Sequence, residues 1–409
     1  MSITASLAGV RVLAVEQAVA APLCTRHLAD LGADVIKIER PGAGDFARDY
    51  DNFVLGYSSH FVWLNRGKRS VALDLKSDSG RQALRALLAT ADVLVSNLAP
   101  GAFERILTDD EVASINPRLV RCFLSGYGPT GPYAQRKAYD LLVQGEAGTI
   151  AATGTRAQPA KPGVSLADLA GGTYALAAIT AALFERERSG VGQRIDIALF
   201  DVLLEWMSPL LLAQHHNGTA PEPAGLRHAS IAPYGPYVSQ DGDWVLIAVQ
   251  NEGQWRRLCA GVLADTFLGV DPETASNAGR LRHRARVEQA VGQAAATLGT
   301  ERLVALLESA DVPHARLNQL PAVLDHPQAA ARHRWSQTRL PDGRSAMVVT
   351  SPFDAAGSSG TDRAVPALGE HTAEVLGELD RPAGVPTPDA GPCQSKSSSK
   401  GSATSLPVR

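Results

Sequence analysis

Short apolar runs alternate along the first half of the chain with longer stretches in which apolar residues recur at helical spacing. VRVLAVE (10–16), ADVIKIE (33–39), SVALDL (70–75), DVLVSNL (92–98) and LVRCFLSG (119–126) predict β-strands. Stretches 21–31 and 78–90 predict helices, the second opened by a Ser77 cap. Strand and helix in alternation imply βαβ units and a largely parallel sheet, which is an α/β fold. A strong helix is predicted over 172–188, apolar on one side and charged at its end, followed by a strand at 194–199 and an apolar helix around 200–215.

The pattern changes at NGTAPEPAGLRH (217–228), a Pro/Gly-rich connection that marks a boundary. Beyond it, residues 234–249 predict a hairpin turning at Asp241-Gly242, and helical segments run from about 252 to 310. This reads as a smaller α+β domain. Residues 335–353 are again hairpin-like, and LGEHTAEVLGELD (368–380) predicts a final helix. The expected organisation is a large α/β domain over 1–220, a small domain over 225–330, a segment over 331–380 and a tail over 381–409. That tail is rich in Pro, Ser, Thr and Lys, and its low apolar content predicts disorder.

Composition narrows the function classes. The 409 residues are 45% hydrophobic and 20% charged, ordinary for a globular protein. A net charge of −3 gives no basic excess for nucleic acid, and no basic amphipathic segment suggests a membrane partner. The four cysteines form no CxxC pair, which argues against a disulfide framework or zinc knuckle and fits a reducing cytosol. The N-terminus lacks a secretory pattern, and about 18 residues never pass without a polar interruption, so a cytoplasmic protein without a membrane span is expected.

Familiar catalytic signatures are missing. EQAVAAPLC follows the first strand where a nicotinamide dehydrogenase would carry GxGxxG, and GxxxxGK[ST], HExxH and GxSxG are absent. His215 and His216 are adjacent, a poor spacing for two metal ligands on a helix, and no metal site is expected. Two acids stand out instead. Asp140 opens an apolar run in KAYDLLVQGEAG, and Asp168 lies in SLADLAGG among small and aliphatic residues. Either can be a helix cap. An ionised carboxylate in such surroundings is also costly unless it is paired or used, and aspartate is a recognised covalent nucleophile. Basic residues recur at the ends of the predicted strands: Lys37 and Arg40; Lys68, Arg69 and Lys76; Arg105 after the fourth; Lys137 before Asp140. Ligands of open α/β sheets sit outside the carboxyl ends of strands, so an anionic, phosphate-bearing ligand would meet several cations there.

ADLGADVIKIERPGAGDFAR (29–48), NRGKRSVALDLKSDSGR (65–81), ADVLVSNLAPGAFER (91–105) and LADLAGG (166–172) resemble the class III CoA-transferases, the family of formyl-CoA transferase. The likeness continues through RSGVGQRIDIALFD (188–201), TSPF (350–353) and LGEHTAEVL (368–376), and so spans roughly 5–380. The resemblance implies an interlaced homodimer, with a Rossmann-like large domain completed by the returning 331–380 segment. It implies that CoA moves from an acyl-CoA to a small carboxylic acid, with no permanently bound cofactor: a CoA thioester is the substrate. Asp168 matches the catalytic aspartate, which passes through an acyl anhydride to an aspartyl-CoA thioester. Gln17, Tyr139 and Asp140 fall at the site. Arg40, Leu73, Lys76, Asn97, Leu98, Arg105 and Lys137 match positions lining the CoA site. Backbone N–H groups near Gln17–Val19, or the glycines after Asp168, are the candidates for stabilising a developing oxyanion.

A second branch of the family, the α-methylacyl-CoA racemases, carries a histidine immediately before the acid of the 140 region. Here that residue is Tyr139, a poorer proton shuttle at neutral pH, so a transferase is expected and an acyl-CoA racemase is the alternative. Val19 stands where the formyl-CoA/oxalate type has glutamine, and IAPYGPY (231–237) replaces its tetraglycine loop. Both departures point away from oxalate and toward C4–C6 dicarboxylates such as itaconate or mesaconate, with succinyl-CoA as donor. Arg227, His228 and Tyr237 are then candidates to hold the remote carboxylate, beside the plain reading that they pack or solvate a loop.

Overall fold

A computed structural model describes residues 3–354 and 363–379; the predicted disordered tail lies outside them. Six parallel strands form the central sheet in the order β3-β2-β1-β4-β5-β6. They are β1 (Arg11–Val15), β2 (Asp34–Glu39), β3 (Arg69–Ala72), β4 (Val93–Ser96), β5 (Val120–Ser125) and β6 (Arg194–Ala198). This is a doubly wound α/β fold with the Rossmann strand order.

The central strands β1, β2 and β4 are buried on both faces, as the inside of a parallel sheet requires, while the edge strand β6 buries only Ala198. In β1, Val12 and Ala14 face a core shared with helices α1 (Ala20–Asp30) and α7 (Leu166–Ser189). Leu13 and Val15 face the opposite core, built on α3 (Asp78–Thr90) and α4 (Asp109–Ile115). Between β2 and β3 a 3-10 turn, Phe46–Asp49, leads into α2 (Ser59–Asn65), and α5 (Asp140–Glu146) and α6 (Thr149–Ala152) follow β5.

By length and composition alone α7 is apolar enough to cross a membrane. It is a core helix: Ala167, Ala170, Ala175, Ile179 and Ala182 are buried between α1 and the sheet. Its start lies six residues before the predicted Gly172. The apolar helix expected around 200–215 is two helices, α8 (Leu199–Trp206) and α9 (Ser208–Asn217), divided where Pro209 enters the first turn of the second.

The following segment forms a three-stranded antiparallel sheet of β7 (Tyr234–Val238), β8 (Trp244–Ala248) and β9 (His314–Arg316). It packs with α10 (Glu252–Gly261), α11 (Asn277–Arg282), α12 (Arg284–Ala296) and α13 (Thr300–Ser309) around a separate core centred on Trp255 and Leu258. Two short helices, α14 (Leu320–Leu324) and α15 (Pro327–Ala331), bury no residue and lead to the hairpin β10 (Trp335–Arg339) and β11 (Ser345–Val349). The last helix, α16 (Thr372–Leu379), lies against β3: Val375 enters the large core, and Arg69 pairs with Glu374 and Glu378.

Candidate active site

The strand order reverses between β1 and β4, and their carboxyl ends open the crevice in which such sheets bind ligands. Gln17 follows β1 and Asn97 follows β4. The Gln17 N–H donates to Asn97 Oδ1 at 2.8 Å, and Asn97 Nδ2 donates to the Gln17 carbonyl at 2.8 Å. Asn97 therefore holds the loop with both halves of its amide. The Gln17 side chain has no hydrogen-bond partner among the described residues. Ala18, next in line, takes a left-handed backbone with φ of 63°.

Asp168 lies in the first turn of α7, beside this loop: its neighbour Leu169 packs on the apolar cluster of Val19, Leu23 and Leu64, which Ala18 and Trp63 also join. Gly172 makes that approach possible. A Cβ there would stand 2.5 Å from the Ala20 carbonyl oxygen. Ser165, just before the helix, makes no side-chain cap. The cap comes from Asp140, whose Oδ1 accepts the N–H of Ala167 at 2.8 Å and of Asp168 at 3.4 Å, while its Oδ2 accepts from Gln144 at 2.7 Å. The two conspicuous acids of the sequence are thus neighbours. The Asp168 carboxylate itself has no hydrogen-bond or ion-pair partner among the described residues. Burial, followed by the charge of Asp140, pushes its pKa up to about 7. A half-buried carboxylate so placed is a better nucleophile than an exposed one, because water masks it less and its basicity is raised.

An aromatic wall that sequence reasoning missed completes this side. Tyr50 packs between the rings of Phe46 at 5.7 Å and His60 at 5.5 Å, and His60 meets Trp63 at 6.4 Å. Tyr50 is raised to about 12 by burial and then by the nearby charges of Asp45 and Asp168, with Tyr139 also contributing. Tyr139 is exposed and precedes α5. His60 Nδ1 lies 3.6 Å from Asp51 Oδ2. Only the Ser58 cap of α2 offered a local signal for this wall.

The cations divide into two sets. Lys37 and Lys68 are fully buried in ion pairs with Glu16, and Arg69 pairs with Asp34 and Glu378. Arg40, Lys76, Arg105 and Lys137 are exposed and have no ion-pair partner among the described residues. At the ends of β4 and β5 lies a cavity of about 270 Å³, lined by Ser96, Leu98, Glu104, Ser125, Arg194 and Asp196 among others; neither Arg105 nor Lys137 lines it. Whole-ligand pockets run to roughly 300–1,000 Å³, so this one suits part of a large ligand. Leu73 differs from its companions: its side chain packs in the core and its N–H donates to the Glu39 carbonyl at 2.9 Å.

Arg227 and Tyr237 are already engaged. Both bond Glu288 Oε2, the tyrosine at 2.5 Å, so neither is free for a substrate carboxylate. His228 accepts from the Ser230 N–H and stacks on Tyr234. These residues follow the plain reading. Among the described residues no group of three His, Cys, Asp or Glu side chains is placed to hold a metal ion.

The family model for CoA-transferase family III matches residues 7–372. The chain belongs to this family. A succinate–glutarate CoA-transferase of Agrobacterium fabrum is 36% identical over 391 residues, covering 91% of this chain and 96% of the relative. A succinyl-CoA:mesaconate CoA-transferase of Haloarcula hispanica is 33% identical, covering 91% and 96%. A crystal structure of a CaiB/BaiF family protein from Brucella suis superposes with a TM-score of 0.80 at 34% identity, covering 91% of this chain and 99% of the other. The protein is therefore a class III CoA-transferase, an enzyme whose substrates are CoA thioesters.

Proposed function

We propose that this CoA-transferase moves CoA from succinyl-CoA to a C4–C6 dicarboxylate, mesaconate or itaconate among them, through an aspartyl-CoA thioester on Asp168. The observation that carries the reading is the Asp168 carboxylate itself: unpaired among the described residues, raised to about 7, and set beside the β1–β4 crevice. In the proposed sequence an Asp168 oxygen attacks the thioester carbonyl, the C–S bond breaks, and CoA leaves as thiolate. The thiolate attacks the aspartyl carbonyl of the resulting anhydride and releases the donor carboxylate. The acceptor carboxylate then attacks the aspartyl-CoA, and the steps run in reverse. Both intermediates are activated acyl groups. Acylation also neutralises the Asp168 charge, which relieves its burial and its repulsion by Asp140, so the environment that raises the pKa also favours the covalent state.

Arg40, Lys76, Arg105 and Lys137 are assigned to the phosphates and pantetheine of CoA, with one end of the thioester in the 270 Å³ cavity. That remote binding positions the reacting carbonyl. The wall of Phe46, Tyr50, His60 and Trp63 is assigned to the acyl group, and His60, held beside Asp51, to the second carboxylate. Tyr139 in place of histidine supports transfer over racemisation. A homodimer is part of the reading: α9 buries no residue, and Trp206, Leu211 and Leu212 are exposed apolar surface that a second copy would cover. Interlacing is proposed from the family resemblance, and a cytoplasmic location from the free buried Cys24, Cys122 and Cys259.

The test is a screen of acceptors with succinyl-CoA, including oxalate, glutarate, mesaconate and itaconate, read by mass spectrometry of the CoA esters. New esters of the C4–C6 acids support the reading. Exchange with oxalate alone, or α-deuteration of a branched acyl-CoA in deuterated water without any acceptor, contradicts it.

A further inference from the structure

Beneath the loop after β1 lies a charge network that the proposed steps do not use. The side chains of Glu16, Lys37, Lys68 and Asp45 are fully buried there. Lys68 Nζ meets Glu16 Oε1 at 2.7 Å, and Lys37 Nζ bridges Glu16 Oε1 at 3.3 Å and Asp45 Oδ2 at 2.8 Å. Two cations thus balance two anions. The remaining Asp45 oxygen, Oδ1, points back to the loop and accepts the N–H of Ala18 at 3.1 Å and of Ala47 at 2.9 Å.

Ala18 needs such support. It is a non-glycine residue at φ of 63°, a conformation that a free chain leaves readily. The two residues before it are gripped as well, Glu16 by the lysines and Gln17 by Asn97. The turn so fixed delivers Val19 to the apolar cluster on which Leu169, the residue after Asp168, also packs. We propose that Asp45 is a positioning residue for CoA transfer: its Oδ1 holds Ala18 in the left-handed form that sets the Gln17–Val19 turn beside the start of α7 and Asp168. The inference rests on the CoA-transfer reading above. Exchange by the unmodified protein tests that reading separately, so a loss confined to the variants concerns Asp45 alone.

Two double variants isolate the contact. Lys37→Met/Asp45→Asn and Lys37→Met/Asp45→Ser each remove one buried cation and one buried anion, leaving the Glu16–Lys68 pair balanced. Asparagine keeps an oxygen for both Ala18 and Ala47, whereas the shorter serine caps the Phe46–Asp49 turn but gives up Ala18. The asparagine double is expected to keep kcat for exchange within about fivefold of the unmodified protein. The serine double is expected to fall about thirtyfold further, with KM for the acyl-CoA changed less than threefold. Adding Ala18→Gly to the serine double should recover at least fivefold, because glycine takes positive φ unaided. Should either double fail to fold, Ala18→Gly and Ala18→Val in the intact network make the same comparison, kcat falling with valine and holding with glycine. Equal kcat in the paired variants, a loss seen in KM alone, or no recovery with glycine overturns the proposal.

Discussion

Asp140 holds the backbone N–H of Asp168 on its Oδ1 at 3.4 Å, together with that of Ala167 at 2.8 Å. One acid thereby starts the helix that carries the other and raises its pKa. If Asp168 must be ionised to attack, activity falls as pH drops through about 7. Asp140→Asn removes the second of the two causes of that shift and keeps an acceptor for the cap. The acid limb of the kcat/KM profile is expected to move to lower pH, by less than the whole displacement, since burial remains. An unmoved limb would separate Asp140 from the titration.

The same shift makes a statement about stability. An Asp168 that titrates at about 7 when folded and near 4 when unfolded holds its proton longer in the folded state. Its contribution to stability therefore declines as pH rises from about 4 to about 7, and the deficit is complete above that. Asp168→Asn should melt higher than the unmodified protein at pH 8, by roughly 2–3 kcal/mol of stability, with the gap closing toward pH 4. Calorimetry across that range checks it. A gap that does not vary with pH would show that the carboxylate is not strained in the folded state.

Gly171 and Gly172 are steric requirements of α7. A Cβ on Gly171 would stand 2.2 Å from Leu199 Cδ2, and one on Gly172 would stand 2.5 Å from the Ala20 carbonyl oxygen. Leu199 can shift, but the Ala20 backbone cannot do so without moving α1. Gly172→Ala is therefore expected to destabilise by about 1–3 kcal/mol, more than Gly171→Ala, and to lower kcat by displacing the loop before α1. Thermal melts and exchange rates of the two variants test the ordering.

How much of this was legible in the sequence depends on how local each cause is. The six strands of the sheet follow from apolar runs and appear close to their expected places. Helix α4 was missed although Thr108 and Glu111 form a capping box that the stretch TDDE announces. The start of α7 was not legible, because its cap, Asp140, is 27 residues away from Ala167 in sequence. The cations showed the same limit: Lys37 and Lys68 read like Arg40 and Lys76 until the fold set Glu16 between the first two. Arg227 looked available because its partner Glu288 lies 61 residues on. The aromatic wall was hidden for the same reason, assembled from a turn and a short helix whose rings meet only in three dimensions.

The free cations make a separable prediction. Arg40→Gln and Lys76→Gln should raise KM for the acyl-CoA several-fold while changing kcat little, and the effect should shrink at high salt. His60→Phe should instead raise KM for dicarboxylate acceptors and spare monocarboxylates. A kcat effect of equal size in all three variants would point to disturbed folding rather than binding.

The most direct measurement is chemical trapping of the aspartyl thioester. Hydroxylamine attacks such a thioester, releasing CoA thiol and leaving a hydroxamate on the side chain that carried it. Peptide mass spectrometry after incubation with succinyl-CoA is predicted to find that mark on Asp168, only when the acyl-CoA is present, and nowhere in Asp168→Asn. Active exchange with Asp168 unmarked, or with the mark on another residue, would contradict the account.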